Sequence, residues 1–263
     1  MRMSVITDEI APDLGAALRE CEALGIGAVE LRSVGGRNVV HHDQGRLREF
    51  QRSLKAGGFT CPVVDTPFLK ATKAIWEHLD RGMEIADLVG AKAIRVFSGL
   101  RVDDRDWYLP WLADVLSAAA NQARAAGFTL LLEIDDACMV ATVAEADELL
   151  GKMAPGLLGV VWDPANEARF RDAEPDPVNR GKIADAVAHV HVKDYASGAG
   201  WVKPGEGIVG WGSQLRSLAD AGYQDYLSIE THYSAPVGGT VQATRDSVAS
   251  LRRIAAESGI SLL

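Results

Sequence analysis

The chain lacks the long apolar runs and the excess of positive charge that mark membrane proteins and nucleic-acid-binding proteins. No stretch approaches the roughly 20 apolar residues of a membrane-spanning helix, and Asp8 and Glu9 interrupt the N-terminus too early for a signal-peptide core. The formal net charge of −9 gives no attraction to a phosphate backbone. We therefore expect neither a membrane nor a nucleic acid as a partner.

Cysteines and dinucleotide-binding motifs are also scarce. Cys21, Cys61 and Cys138 are odd in number and widely spaced, without CxxC or zinc-knuckle spacing. Such usage is typical of a reduced compartment, so we predict a cytoplasmic protein. No GxGxxG follows an early strand, and nothing therefore indicates a dinucleotide cofactor.

What the chain does have is a regular alternation of short apolar runs and helical patterns over 263 residues. Apolar runs bounded by turn signals are typical of buried parallel strands. Five helical patterns end at a glycine, which accepts the left-handed conformation that closes a helix. Eight strand and helix units without a break in composition predict one (β/α)8 TIM barrel, a single domain over residues 1–263. The predicted strands are Met3–Thr7, Ala28–Leu31, Thr60–Asp65, Ala93–Ser98, Thr129–Ile134, Leu158–Asp163, His189–Val192 and Tyr226–Glu230. The predicted helices include Leu14–Leu24, Gln44–Ala56, Trp76–Val89, Trp111–Ala126, Val143–Met153 and Val241–Ala256.

Polar residues stand where four successive predicted strands end: Glu133, Asp163, His191 and Glu230. In a parallel barrel all strand ends face one mouth, so these residues would converge. A carboxylate inside a barrel is costly unless it is paired or bound to a cation. Three carboxylates and one imidazole therefore predict a site for one divalent ion, with Mn²⁺ or Mg²⁺ favoured by the oxygen ligands and Co²⁺ or Zn²⁺ admitted by the imidazole. Salt-bridged or capping carboxylates are the alternative for each residue alone.

Further polar residues near the strand ends are candidate substrate contacts. Glu30 and Arg32 share a face at the end of the second strand and would bind substrate hydroxyls, with a structural ion pair as the alternative. Lys70 follows the third strand and would bind a hydroxyl, a carboxylate or a phosphate.

Two more candidates come from the last strands. Lys193 would either steady a substrate oxygen or pair with Asp163. His232 shares the face of Glu230 and would orient it, or else cap a turn. The stretch Ala196–Gly212 contains five glycines and two tryptophans and is predicted to be an irregular active-site loop, or a plain surface connection.

The motifs GVVWDPAN, HVHVKDY with the following GEG, and LSIETHY resemble the xylose-isomerase-like TIM-barrel superfamily of sugar-phosphate isomerases and epimerases, as do ITDEI and AVELRSV. The likeness covers essentially the whole chain in order. It implies that Glu133, Asp163, His191 and Glu230 bind the divalent metal, and that the two glutamates are the acid/base pair. Many members carry a histidine where this chain has Asn166, which we place among the substrate contacts.

The resemblance implies an isomerase or epimerase of a ketose, keto-polyol or sugar phosphate that works through an enediolate. One glutamate would take a proton beside the carbonyl, and the other would return one from the opposite face. The alternative is a lyase on the same scaffold, a dehydratase of a keto-inositol or 3-keto sugar, and a third interpretation is a non-catalytic sugar-binding relative. Metal-dependent DNA-repair nucleases share the fold, but six histidines and an acidic chain disfavour their histidine-rich site. The expected partner is a small sugar or polyol, and a homo-oligomer is compatible with this interpretation.

Overall fold

The computed structural model describes residues 1–71, 73–175, 177 and 183–263. Its strands in chain order are β1 (Arg2–Ile6), β2 (Val29–Glu30), β3 (Ser33–Val34), β4 (Arg37–Asn38), β5 (Val63–Asp65), β6 (Ala93–Val96), β7 (Thr129–Glu133), β8 (Gly159–Trp162), β9 (Val187–Val192), β10 (Asp194–Ala196), β11 (Gly200–Val202) and β12 (Tyr226–Ile229). Its α-helices are α1 (Thr7–Ile10), α2 (Leu14–Ala23), α3 (Gln44–Ala56), α4 (Trp76–Val89), α5 (Arg105–Ala125), α6 (Val143–Leu150), α7 (Pro164–Arg171), α8 (Trp211–Asp220) and α9 (Gly239–Glu257).

Eight of these strands form one parallel sheet in the order β2-β1-β12-β9-β8-β7-β6-β5. The two end strands approach each other through isolated parallel bridges, Ala28 with Thr60 and Leu31 with Val64. The backbone N–H of Asp65 also donates to the carbonyl of Leu31 at 2.9 Å. The sheet is thereby rolled into a nearly closed barrel with helices between its strands, and the prediction of a TIM barrel is confirmed.

The glycines after five helices have the conformation that the sequence predicts. Their φ angles lie between 67° and 87°, in the left-handed region, at Gly25, Gly58, Gly90, Gly127 and Gly222. Each helix ends there, and the chain turns back into the next strand.

One predicted element is wrong in part. The stretch Ala196–Gly212 is not irregular throughout, because β10 and β11 form an antiparallel hairpin at its start. The carboxylate of Asp194 organises the rest, accepting hydrogen bonds from the backbone N–H groups of Tyr195, Gly205 and Val209 at 2.9, 2.8 and 3.1 Å. Strands of only three residues are too short to leave an alternating pattern, so periodicity could not reveal this hairpin.

Helix α5 also differs from its prediction, since it begins at Arg105 rather than Trp111. The side chain of Asp104 accepts a hydrogen bond from the backbone N–H of Trp107 at 3.1 Å and starts the helix upstream of Pro110. Helix α8 is the helix predicted to end before Gly222, and α7, for which no range was predicted, positions a site residue described below.

The barrel interior changes from apolar to polar along its axis. Val63, Leu131 and Val161 form a small buried apolar cluster. Two residues further along β5 and β7 stand Asp65 and Glu133, because alternate strand residues share a face. The strands thus carry polar side chains towards their C-terminal ends, at the barrel mouth. Among the residues that the structure describes, no helix is long and apolar enough to cross a membrane.

Candidate active site

The structure brings Glu133, Asp163, His191 and Glu230 together at the C-terminal ends of the strands. Each offers one ligand atom, these atoms lie within 4.8 Å of one another, and all four residues are buried. The first ends β7, the second follows β8, the third lies near the end of β9, and the fourth follows β12. The residues converge as their positions at strand ends predict, whereas their role as metal ligands stays a prediction.

Asp163 is aimed into the cluster by the helix that follows it. Its Oδ1 accepts hydrogen bonds from the backbone N–H groups of Ala165 and Asn166, both at 3.0 Å, and so caps α7. Pro164 at the first helical position needs no such partner. The other oxygen, Oδ2, is left to face the site.

Three cations offset the negative charge of the carboxylates. The Lys193 ammonium donates to Asp163 Oδ2 and Glu230 Oε2, both at 2.5 Å. Arg95 Nε lies 3.2 Å from Glu133 Oε2, and Arg32 Nη1 donates to Glu230 Oε1 at 2.6 Å. Of the two interpretations of Lys193 offered above, pairing with Asp163 is the one seen here.

These neighbours shift the pKa values in opposite directions. Burial would raise the pKa of the Glu133 carboxyl, but Arg95 and His191 outweigh it and lower that pKa to about 2. Lys193 and two histidines likewise hold the pKa of Glu230 well below its usual value against burial. For Asp163 burial dominates despite Lys193, and its pKa rises to about 6.

His191 lies among carboxylates on both sides of its ring. Nδ1 lies 3.3 Å from Glu133 Oε1 and 3.4 Å from Glu230 Oε2. Burial alone would lower its pKa, but Glu30 and the two cluster glutamates raise the pKa well above the ordinary value. In the metal-free protein the imidazole is therefore favoured in its protonated form.

An outer group of residues holds Arg32 in place. Its guanidinium donates to Asp8 Oδ2 through Nε at 3.0 Å and Nη2 at 2.9 Å, and to Glu9 Oε1 at 2.5 Å. His232 Nε2 lies 3.0 Å from Glu230 Oε1. The backbone N–H of His232 donates to Glu9 Oε2 at 2.9 Å. The φ angle of His232 is 56°, in the left-handed region. The predicted pairing of His232 with Glu230 is present, and Arg32 has partners other than Glu30.

The rim carries two further ion pairs. Lys70 Nζ donates to Asp135 Oδ2 at 2.6 Å and stands 4.0 Å from the centre of the Phe97 ring. Arg169 pairs with Asp136. Each pair presents donors and acceptors side by side, an arrangement that suits the hydroxyl groups of a polyol, which both donate and accept.

These groups surround a cavity of about 440 Å³, within the size range of small-molecule sites. Its lining includes the two cluster glutamates and five of the predicted substrate contacts: Arg32, Lys70, Asn166, Lys193 and His232. The sixth, Glu30, is fully buried and lies outside this lining, with its carboxylate against two histidine rings. A substrate in the cavity therefore has no direct access to Glu30.

The sequence analysis missed several residues of this site. Asp65 ends β5 and Arg95 is the next-to-last residue of β6, so both follow the rule of polar residues near strand ends that identified the ligand candidates. Asp8 and Glu9 follow β1 in the same way. Trp201, which lines the cavity from β11, had no such signal, because only the hairpin brings it to the mouth.

The donor set fits a divalent cation. Three carboxylate oxygens and one imidazole nitrogen within 4.8 Å offer the hard, oxygen-rich ligation that Mn²⁺ and Mg²⁺ take, with one nitrogen that Zn²⁺ also accepts. All four donor residues are buried, so an ion held among them would be largely shielded from water.

Comparisons with known proteins agree with this architecture. No curated protein matches the chain. Among solved structures, the probable 3-DHS dehydratase AsbF of Bacillus anthracis is similar at 17% identity, covering 96% of this chain and 98% of its own, with a TM-score of 0.76. The IOLI protein, crystallised with a zinc atom, has 15% identity, coverages of 98% and 99%, and a TM-score of 0.80. D-psicose 3-epimerase, in the presence of D-fructose, has 14% identity, coverages of 98% and 100%, and a TM-score of 0.74.

At such identities these likenesses show the fold alone. The family model described as xylose isomerase-like TIM barrel, in contrast, matches the sequence itself, over residues 18–254. That match spans most of the chain, and the protein therefore belongs to the xylose isomerase-like TIM barrel family.

Proposed function

We propose that the protein is a divalent-metal-dependent isomerase or epimerase of a small ketose or keto-polyol. The observation that carries this proposal is the buried cluster of Glu133, Asp163, His191 and Glu230, whose two glutamates line a cavity together with other charged side chains. A metal ion held there would supply Lewis acidity to polarise a substrate carbonyl. A polarised carbonyl makes the proton on the adjacent carbon more acidic, and that proton is what the residues of the chain would move.

Glu133 and Glu230 are suited to proton transfer at two sides of one substrate. They lie at the ends of β7 and β12, three places apart in the ring of eight strands. Separate arginines hold them, Arg95 for the first and Arg32 for the second. One carboxylate would accept the proton, and the other, once protonated, would deliver a proton to the opposite face, which inverts the carbon.

A dehydratase is the second candidate, and Lys193 favours it. Its ammonium lines the cavity and lies 2.5 Å from Asp163 and from Glu230, so a proton donor stands beside both carboxylates. In dehydration, a carboxylate takes the proton beside the carbonyl, the C–H electron pair forms a C=C bond, and the β C–O bond breaks. The ammonium would protonate the departing hydroxyl, which leaves as water.

The named relatives support both candidates. Structures similar to this chain include D-psicose 3-epimerase and a probable dehydratase, and one contains zinc. Epimerisation and dehydration share their first step, the removal of a proton beside a carbonyl. Both candidates therefore need a base that removes this proton.

Proton exchange in D₂O tests this first step directly. The protein with Mn²⁺ would be incubated with a panel of ketoses and keto-inositols, and the exchanged position would be read by NMR. Exchange with recovery of an epimer or isomer is the expected result. An ultraviolet-absorbing enone among the products would assign the dehydratase instead, and no exchange with any member of the panel would contradict both candidates.

Variants of the glutamate pair assign the roles. Glu133→Gln and Glu230→Gln should each abolish epimerisation, whereas one of them should retain α-proton exchange on a single face. The control is Glu257→Gln, a change of the same chemistry at an exposed residue of α9. Metal content must be measured in each variant, because an amide is a weaker ligand than a carboxylate. Full turnover with full metal would exclude that glutamate from proton transfer.

A further inference from the structure

We propose that Glu30 and His189 form a support beneath the metal site that holds the ring of His191 with Nδ1 towards the ligand cluster. Glu30 is then a positioning residue rather than the substrate contact that its place at a strand end predicts. This inference rests on the proposed function, because it gives His191 the role of a metal ligand.

The two ring nitrogens of His191 face different partners. Nδ1 points to Glu133 and Glu230, at 3.3 and 3.4 Å, and Nε2 lies 3.3 Å from Glu30 Oε2. A carboxylate accepts hydrogen bonds, so Glu30 favours a proton on Nε2, whereas a metal ion in the ligand cluster would take the place of the proton on Nδ1. With Nε2 protonated, the lone pair for a metal ion remains on Nδ1.

Glu30 is itself tightly placed. Its Oε1 lies 2.6 Å from Nε2 of His189, so a histidine occupies each of its two oxygens. The two histidine rings stand edge to face, with centroids 5.6 Å apart and an angle of 88° between their planes. His189 and His191 are neighbours on the same face of β9, and Glu30 enters from β2.

Complete burial makes this arrangement rigid. The exposed fractions of Glu30, His189 and His191 are 0%, 1% and 0%. A buried carboxylate without partners would be very costly, so breaking either contact is resisted. The negative charge of Glu30 also makes the imidazole more basic, and a more basic imidazole is a stronger ligand.

The central experiment compares metal affinity in Glu30→Gln and the wild type by isothermal calorimetry with Mn²⁺. Glutamine keeps the size but loses the charge, and only its carbonyl oxygen accepts hydrogen bonds, so it cannot accept from both histidines as the two carboxylate oxygens do. We expect Mn²⁺ binding about 10- to 100-fold weaker, the usual loss when such a partner is changed. The absorption spectrum of bound Co²⁺ should shift as well, because the ring orientation changes.

Glu167→Gln is the matched control. Glu167 is also buried, at 2% exposure, but it accepts a hydrogen bond from the backbone N–H of Val143 and pairs with Arg171, and neither partner belongs to the ligand cluster. It should bind Mn²⁺ with the affinity of the wild type. Equal affinity in Glu30→Gln and the wild type would overturn the proposal.

A measurement on the wild type keeps the test independent of folding in the variants. With diamagnetic Zn²⁺ bound, ¹⁵N NMR of the histidines should show His191 protonated at Nε2 alone. A proton on Nδ1 would contradict the proposal. So would a second ion per chain that disappears in Glu30→Gln, since Glu30, His189 and His191 would then be ligands themselves.

The result also separates this inference from the proposed function. If the wild type binds no divalent ion at the cluster, the proposed function fails with it. If the wild type binds one ion and exchanges the α-proton while Glu30→Gln matches it in affinity and spectrum, only the support by Glu30 is wrong.

Discussion

At the scale of single residues, each cluster carboxylate has a specific cation. Glu133 faces Arg95, Glu230 faces Arg32 and Lys193, and Asp163 shares Lys193. Arg95 is shared in turn with Asp65, whose pKa burial raises to about 6 in spite of that arginine. A metal ion bound at the proposed site would compete with these cations for the carboxylate oxygens. The affinity of that site would therefore depend on residues that do not contact the ion.

Asp163 caps α7 and is also a proposed metal ligand, and its variants should distinguish these two roles. Asp163→Asn keeps an oxygen that can cap α7, whereas Asp163→Ala removes the cap as well as the ligand. Both variants should lose Mn²⁺, but the alanine variant should also unfold with about 1 kcal/mol less free energy than the asparagine variant. Chemical denaturation of the metal-free proteins measures that difference. Equal stabilities would mean that the two hydrogen bonds from Ala165 and Asn166 contribute nothing measurable.

His191 predicts a pH dependence of metal binding. Its pKa is raised, so the ring is favoured as the imidazolium below that raised value, and a metal ion must displace the Nδ1 proton. Near pH 7 we expect about one proton released per ion bound, and weaker binding as the pH falls. Protonation of Asp163, whose pKa is about 6, should weaken it further below that pH. Calorimetry in buffers of different ionisation enthalpy counts the protons, and an enthalpy independent of buffer would refute this prediction.

At the scale of elements, the β10–β11 hairpin places an aromatic side chain at the edge of the active-site cavity. Trp201 lines the cavity from β11, and its ring centre lies 5.2 Å from the Lys193 ammonium and 5.4 Å from the His232 ring centre. The guanidinium of Arg169 also lies 5.2 Å from that ring centre. The Trp201 ring thus lies near charged and polar groups from three other parts of the chain.

Trp201→Ala should weaken catalysis without loss of metal. A contact between a cation and an aromatic face contributes roughly 1 kcal/mol, so kcat/KM should fall about fivefold on whichever substrate the exchange panel identifies. Trp107→Ala is the control, because Trp107 is 67% exposed on α5 and does not line the cavity. A reduced metal content in Trp201→Ala would show instead that the hairpin supports the cluster.

Some elements could be predicted from the sequence and others could not, for physical reasons. Strands β7, β8 and β12 were predictable, because apolar runs end at a polar residue wherever a buried strand reaches the mouth. The hairpin was not, since it depends on Asp194 binding backbone N–H groups up to 15 residues away. The partners of Glu30 could not be predicted either, because register across the barrel, rather than spacing in sequence, brings β2 to β9.

At the scale of the whole molecule, the strand pairing differs in length around the barrel. Strands β6 and β7 pair over four residues, and β1 and β12 also over four. Between β2 and β5 the structure has only isolated bridges, at Ala28 with Thr60 and at Leu31 with Val64. The ligand candidates lie on β7, β8, β9 and β12, or directly after them, where neighbouring strands pair over several residues. The cluster therefore lies where more strand hydrogen bonds hold the barrel together. The weakly paired junction between β2 and β5, called the seam below, lies beside Glu30 of β2.

This asymmetry predicts where the barrel opens first. The backbone N–H groups of Val29 and Thr60 donate across the seam to Thr60 and Gly27, both at 2.9 Å, but few neighbouring bonds reinforce them. Local opening is easiest where hydrogen bonds are few and isolated, so hydrogen exchange at Thr60–Asp65 should be faster than at Thr129–Glu133.

Adding Mn²⁺ should slow exchange at the ends of the ligand-bearing strands more than at the seam, because the ion would bind strands on the other side. Exchange measured by mass spectrometry with and without the ion tests both statements. Equal protection of the two segments without the ion would mean that the seam is as stable as the rest of the barrel, and that helix packing rather than strand pairing closes it.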